Sequence, residues 1–103
     1  MIDLTRENCQ DDVTAMSGSD IENLMDSIPE WEYNGKYLTM TKVFKNHYQA
    51  MAFVNAVAWI SHQENHHPDI KVSYKDVKID YWTHSVNGIS RNDFICAAKV
   101  NNL

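Results

Sequence analysis

The chain has only two cysteines, Cys9 and Cys96, and no CxxC pair. That leaves no disulfide framework, so both read as ordinary reduced thiols. No stretch is apolar for long enough to span a bilayer, which takes about 20 residues. The opening Met1-Ile2-Asp3-Leu4-Thr5-Arg6-Glu7-Asn8 lacks the charged-then-apolar order of a signal peptide, so cytoplasm is the default expectation. Basic charge is scarce as well: 9 Lys and Arg against 14 Asp and Glu give a net charge of −5. Such a surface does not attract nucleic acid or anionic membrane, and neither is expected as a direct partner. Repeats of solenoid length and low-complexity segments are also absent.

What is present is the composition of one globular domain. The chain is 103 residues long, 44% hydrophobic and 22% charged. A core is possible at this size but modest, so oligomerisation would help bury surface. Residues 1–17 are mostly polar and read as a flexible N-terminal arm before a single domain over 18–103. Ser19 followed by Glu22 fits a capping box, and Ile21, Leu24, Met25 and Ile28 recur at helical spacing, predicting a helix over about 20–28 that Pro29 ends. Asn34-Gly35 between aromatic and β-branched residues predicts a two-residue type I′ hairpin, with a short strand through Trp31 and a longer one over 37–44.

Asn46 followed by Gln49 marks a second helix start, and no proline or glycine intervenes from His47 to about His66. Met51, Phe53, Val54, Val57, Ala58, Trp59 and Ile60 cover more than one narrow stripe of that helix. It is therefore expected to be buried on two sides, one against the strands and one against a second subunit. Alternation over 70–74 and 77–84 predicts a second hairpin, and Ser90 with Asp93 caps a last helix. The order is α-β-β-α-β-β-α. This implies an α+β fold, a four-stranded antiparallel sheet with helices packed on one face.

Chemistry concentrates in His62-Gln63-Glu64-Asn65-His66-His67-Pro68, which holds three of the five histidines. Histidine titrates nearest physiological pH, so a cluster points to proton transfer, metal binding or pH sensing. Pro68 disfavours helical geometry at His67, so His66 and His67 belong at the end of the long helix or just beyond it. His62 and His66 share a helix face, and His67 or His84 would complete a three-histidine zinc set. The HExxH pattern of metalloproteases is not there, because Glu64 is one position out of place. Solvated helix-end histidines are the plain alternative.

Spacing favours a more specific reading. After His66-His67-Pro68 come five residues and then Tyr74; nine residues separate Tyr74 from His84, and eight separate His84 from Asp93. Over about residues 20–100 this resembles the signature of the pterin-4a-carbinolamine dehydratases, which opens with an acidic or basic residue at the place of His62. Trp31 and the stretch Gly88-Ile89-Ser90-Arg91-Asn92-Asp93 are similar to features of the same family, and the family fold agrees with the order above. His62 is the main departure, because many members carry glutamate there.

The resemblance implies dehydration of a 4a-hydroxytetrahydropterin to a quinonoid dihydropterin in the recycling of tetrahydropterin for aromatic amino acid hydroxylases. No cofactor and no metal are implied. Hydroxide is a poor leaving group, so an acid must protonate it while a base accepts a ring proton; histidines near pH 7 can do both. His66, His67 and His84 are the expected catalytic residues. Pro68, Thr83, Ser85 and Trp31 are the expected substrate contacts, with Trp31 stacking on the flat pterin. Asp93 and His62 are expected in support. The expected partners are a pterin and further copies of the chain, as a homodimer or homotetramer through the long helix and a sheet edge, with a functional link to a hydroxylase. The alternatives are an interaction protein, since animal family members also serve a homeodomain transcription factor as dimerisation cofactor, and a histidine metal-binding module.

Overall fold

Alternation along Leu38–Val43 (β2) and Asp76–Tyr81 (β4) puts Leu38, Met40, Val77, Ile79 and Tyr81 on one face, and this face is the floor of the core. In the computed structural model, which describes residues 3–103, the two strands pair antiparallel from Leu38 opposite Tyr81 to Val43 opposite Asp76. Glu32–Tyr33 (β1) flanks β2, and Asp69–Val72 (β3) flanks β4, giving the order β1-β2-β4-β3 with every pairing antiparallel. Lys71 and Lys78 stand opposite each other on the other face, exposed to solvent. The helices Gly18–Leu24 (α1), His47–Glu64 (α2) and Arg91–Asn101 (α3) complete the expected α+β order.

Local chemistry shifts several boundaries. The first helix starts at Gly18, because Ser17 rather than Ser19 is the cap: its hydroxyl accepts the Asp20 N–H at 3.2 Å. The helix proper ends at Leu24, and a 3-10 turn over Met25–Ser27 carries the chain to Ile28. The first hairpin does not close through a two-residue turn. Tyr33 pairs with Leu38, so four residues form the loop. Asn34 Oδ1 accepts the N–H groups of Lys36 and Tyr37 at 3.0 and 2.7 Å, and only Gly35, at φ +88, takes the left-handed conformation. The amide side chain thus competes with the primed turn and wins. The second long strand stops at Tyr81, and His84 opens a 3-10 turn over His84–Val86 rather than ending a strand.

Burial is distributed over the helices differently from the sequence pattern. Helix α2 buries one stripe, Ala50, Phe53, Val57 and Ile60, and leaves Tyr48 and Trp59 open at 83% and 59% exposure. Helix α3 is the one buried nearly all round: Asn92 to Ala98 and Val100 are all buried. The sheet and α2 cover two of its sides, and the N-terminal arm covers another.

Met1 and Ile2 of that expected arm lie outside the described residues. The remainder is irregular apart from a 3-10 turn over Leu4–Arg6, and several contacts hold it. Leu4 is buried in the core. Arg91 donates to both Glu7 carboxylate oxygens at 2.7 Å. Gln10 and Asn92 exchange two hydrogen bonds at 3.0 and 2.7 Å. The Cys9 N–H donates to Glu64 Oε1 at 2.8 Å, and the other oxygen of Glu64 accepts from Lys99 Nζ at 2.8 Å.

Candidate active site

The end of α2 sets up the site. Asn65 adopts a left-handed conformation, with φ 51 and ψ 41. Its N–H donates to His62 O, and the His66 N–H reaches back to Ser61 O at 3.1 Å, the paired bonds of a Schellman motif. Asparagine tolerates this conformation better than other side chains with a Cβ. The helix therefore ends at Glu64, and His66 and His67 are the second and third residues beyond it. Buried Pro68 leads directly into β3.

His66 points inward. Its Nε2 lies 2.6 Å from Asp93 Oδ1, and the two side chains are 13% and 0% exposed. A carboxylate with no access to solvent needs donors for its lone pairs. Asp93 has them: its other oxygen accepts from Thr83 Oγ1 at 2.7 Å and from the Ser90 N–H at 2.9 Å. Because the Thr83 hydroxyl is spent on Asp93, the Ser90 hydroxyl, 2.7 Å away, donates to Thr83. A carboxylate accepts only, so Nε2 of His66 carries the hydrogen in this contact. The His66 ring also stacks on Tyr81, 5.7 Å between centroids and 19° between planes. Tyr81 packs on Trp31 at 5.9 Å, and its phenol is buried without a hydrogen-bond partner among the described residues. Burial first, and then the nearby Cys96, push the Tyr81 pKa upward, so this phenol stays neutral.

His67 and His84 are exposed, and their ring centroids lie 6.1 Å apart with the planes tilted by 45°. His84 is packed from behind by Trp82, at 3.8 Å between centroids, and Trp82 Nε1 donates to Asp69 Oδ2 at 3.4 Å. The open end of the β3–β4 hairpin thus gathers His66, His67 and Pro68 before β3, Thr83 and His84 after β4, and Asp93 in the first turn of α3.

The other expected members make no hydrogen bond to these side chains among the described residues. The ring of His62 contacts Trp59 at 5.6 Å on the exposed face of α2. Ser85 is exposed in the turn after His84. Trp31 is 3% exposed and donates its indole N–H to Asn101 Oδ1 at 2.8 Å, so it belongs to the core beneath the site and has no free ring face for a ligand. Tyr74 stacks on His47 at 6.0 Å, in the turn at the far end of the hairpin. Sequence reasoning left out Tyr81 and Trp82. Tyr81 was visible as an inward position of β4; nothing in the sequence signalled that Trp82 supports an imidazole. Among the described residues, no three His, Cys, Asp or Glu side chains are arranged to hold a metal ion. A cavity of about 720 Å³ lies between the arm, α1 and α3, and the histidines do not line it.

The fold and the site together define an α+β domain with a cluster of histidines and a buried carboxylate. Residues 14–103 match the family described as Pterin 4 alpha carbinolamine dehydratase. The chain is 52% identical over 95 residues to a Dechloromonas aromatica protein provisionally named pterin-4-alpha-carbinolamine dehydratase, covering 92% of this chain and 85% of that one. A Legionella pneumophila protein with the same provisional name is 42% identical over 100 residues, covering 94% and 88%. The crystal structure of a transcriptional coactivator/pterin dehydratase from Brucella melitensis superposes with a TM-score of 0.81 at 25% identity, covering 86% of this chain and 97% of that one. The chain belongs to the pterin-4-alpha-carbinolamine dehydratase family. No helix of the described residues is long and apolar enough to cross a membrane.

Proposed function

We propose that the chain is a 4a-hydroxytetrahydropterin dehydratase working by histidine acid–base catalysis, in the recycling of tetrahydropterin after aromatic amino acid hydroxylation. The observation that carries this reading is that the segment entering β3 sets two adjacent imidazoles to work, His66 held by Asp93 at 2.6 Å and His67 beside His84 at 6.1 Å. The reaction breaks the C4a–O bond. An imidazolium donates a proton to the departing hydroxyl, which leaves as water. A neutral imidazole accepts the proton released from a pterin ring nitrogen, whose electron pair forms the new C=N bond. The site thus needs one protonated and one neutral histidine at the substrate, and proton transfer of this kind contributes typically ~10²–10⁴-fold per group.

His66 has its Nε2 hydrogen fixed on Asp93, which leaves Nδ1 as the nitrogen that can exchange a proton. His67 and His84, being exposed, are the groups placed to meet substrate first. Pro68 and Thr83 act on substrate mainly by fixing these imidazoles, and Ser85 is a contact at the rim. The family membership supports the reaction class.

Carbinolamine generated chemically and followed by its ultraviolet absorbance tests this. Wild type should accelerate dehydration, and His66→Ala, His67→Ala and His84→Ala should each lose most of the acceleration while keeping the far-UV spectrum. Full activity in all three variants would remove the catalytic assignment. Dialysis against a chelator should leave the rate unchanged.

The exposed face of α2, with Trp59 and Tyr48, supports a homo-oligomer formed through that helix, and the outer strand β3 offers a second edge. The Brucella neighbour's double description supports a second reading, an interaction protein. Dehydratase activity abolished by the three histidine variants would favour the first.

A further inference from the structure

The sequence holds two cysteines, far apart, and the fold brings them together. Cys9 Sγ lies 3.5 Å from Cys96 Sγ across a sequence separation of 87 residues. This proximity is built by the backbone on both sides. The Cys9 N–H is fixed on Glu64, the next residue is paired twice with Asn92, and Cys96 is one helical turn along α3 from Asn92. A disulfide needs a sulfur separation near 2.05 Å, so an approach of about 1.5 Å between the two sulfurs closes it.

We propose that Cys9 and Cys96 form a reversible intramolecular disulfide, made by exchange with a low-molecular-weight disulfide such as glutathione disulfide, that staples the N-terminal arm to α3. The order of events follows from exposure. Cys9 is half-buried, whereas Cys96 is completely buried. The contact with Cys9 and then burial hold the Cys96 thiol well above its ordinary value, so Cys96 is inert while Cys9 is reduced. The Cys9 thiolate attacks one sulfur of glutathione disulfide and expels one glutathione thiolate. Cys96 then loses its proton and attacks Cys9 Sγ, and the second glutathione leaves. Two protein thiols are oxidised to one disulfide, and one glutathione disulfide is reduced to two glutathiones.

The test uses the full chain incubated with glutathione disulfide and then alkylated. The intact mass should fall by two hydrogens with no alkyl group added. Trypsin should release the peptide spanning 7–36 joined to the peptide spanning 92–99. The melting temperature should rise by at least about 5 °C, because the closed loop is long, and dithiothreitol should reverse the rise. Cys9→Ser, a substitution at a half-buried position, should fold and show none of these changes. Both thiols remaining alkylatable, a stable glutathione adduct on Cys9, or linkage only between chains would each overturn the proposal.

Discussion

The Nε2 of His66 and the Oδ1 of Asp93 meet at 2.6 Å inside the protein, although the residues are 27 positions apart and lie on different elements. Asp93 caps α3 through the Ser90 N–H with one oxygen and orients the imidazole with the other. Asp93→Asn keeps the size of the side chain and removes its charge. It should lower kcat on the order of 10²-fold, within the range for a general acid or base. In the His66→Ala background the same change should cost little more, because both substitutions remove one unit. Steady-state kinetics on the two single variants and the double variant measure this, and additive losses would show that Asp93 acts independently of His66.

Trp31 separates a core role from a substrate role. Trp31→Phe removes the hydrogen bond to Asn101 and part of the contact with Tyr81, and should cost about 1–3 kcal/mol of stability. KM for the carbinolamine should stay within twofold of wild type. Urea unfolding and kinetics on the same preparation check both halves, and a large rise in KM with stability intact would return Trp31 to the substrate.

Asn65 sets the direction in which the chain leaves α2. Asn65→Gly should be neutral or slightly stabilising, because glycine takes the left-handed conformation without strain. Asn65→Val should cost about 1–2 kcal/mol and, by moving His66, lower activity as well. Thermal melts and dehydration rates of the two variants should diverge in the same order.

Acid sensitivity should centre on Glu64. Burial works to raise its pKa, but the Lys99 ammonium and the Cys9 N–H outweigh that and hold the carboxyl below its ordinary value of 4.5. A folded value below the unfolded one contributes stability that is fully present above pH 4.5 and is lost as pH falls through the folded value. Urea midpoints should therefore fall below pH 4.5, and the fall should be shallower in Glu64→Gln, which has no proton to take up.

Trp59 tests the assembly. If the open face of α2 meets another copy, Trp59→Glu should lower the mass seen by light scattering at micromolar concentration and leave the far-UV spectrum unchanged. A wild-type chain that is already monomeric there would end the oligomer proposal.

Much of the fold was legible because it rests on short-range pattern. The alternation over 70–74 and 77–84 located β3 and β4, and Asn46 with Gln49 located the start of α2. Long-range contacts decided the rest. Asn34 reads as half of a primed turn until its side chain is seen taking two backbone N–H groups. The polar residues Glu7, Gln10 and Glu64 read as solvated until Arg91, Asn92 and Lys99 are found against them. For the site, the signature picked out His66, His67, His84 and Asp93, of which His66 lies against Asp93 and His67 near His84. It also picked out Tyr74, which sits at the opposite end of the hairpin, because spacing records the length of a hairpin as well as the position of a site.

The Schellman ending of α2 has a consequence for the two adjacent histidines. Beyond Asn65 the chain runs irregularly to β3, and the two imidazoles diverge: His66 goes to the buried carboxylate and His67 to the open side opposite His84. They are neighbours along the chain, but one is largely buried and the other exposed, so they are not interchangeable, whatever their identical chemistry suggests. What assigns them is parity, the number of residues between the left-handed asparagine and the proline. Deleting one histidine leaves a chain with an imidazole in hand and only one of the two addresses filled.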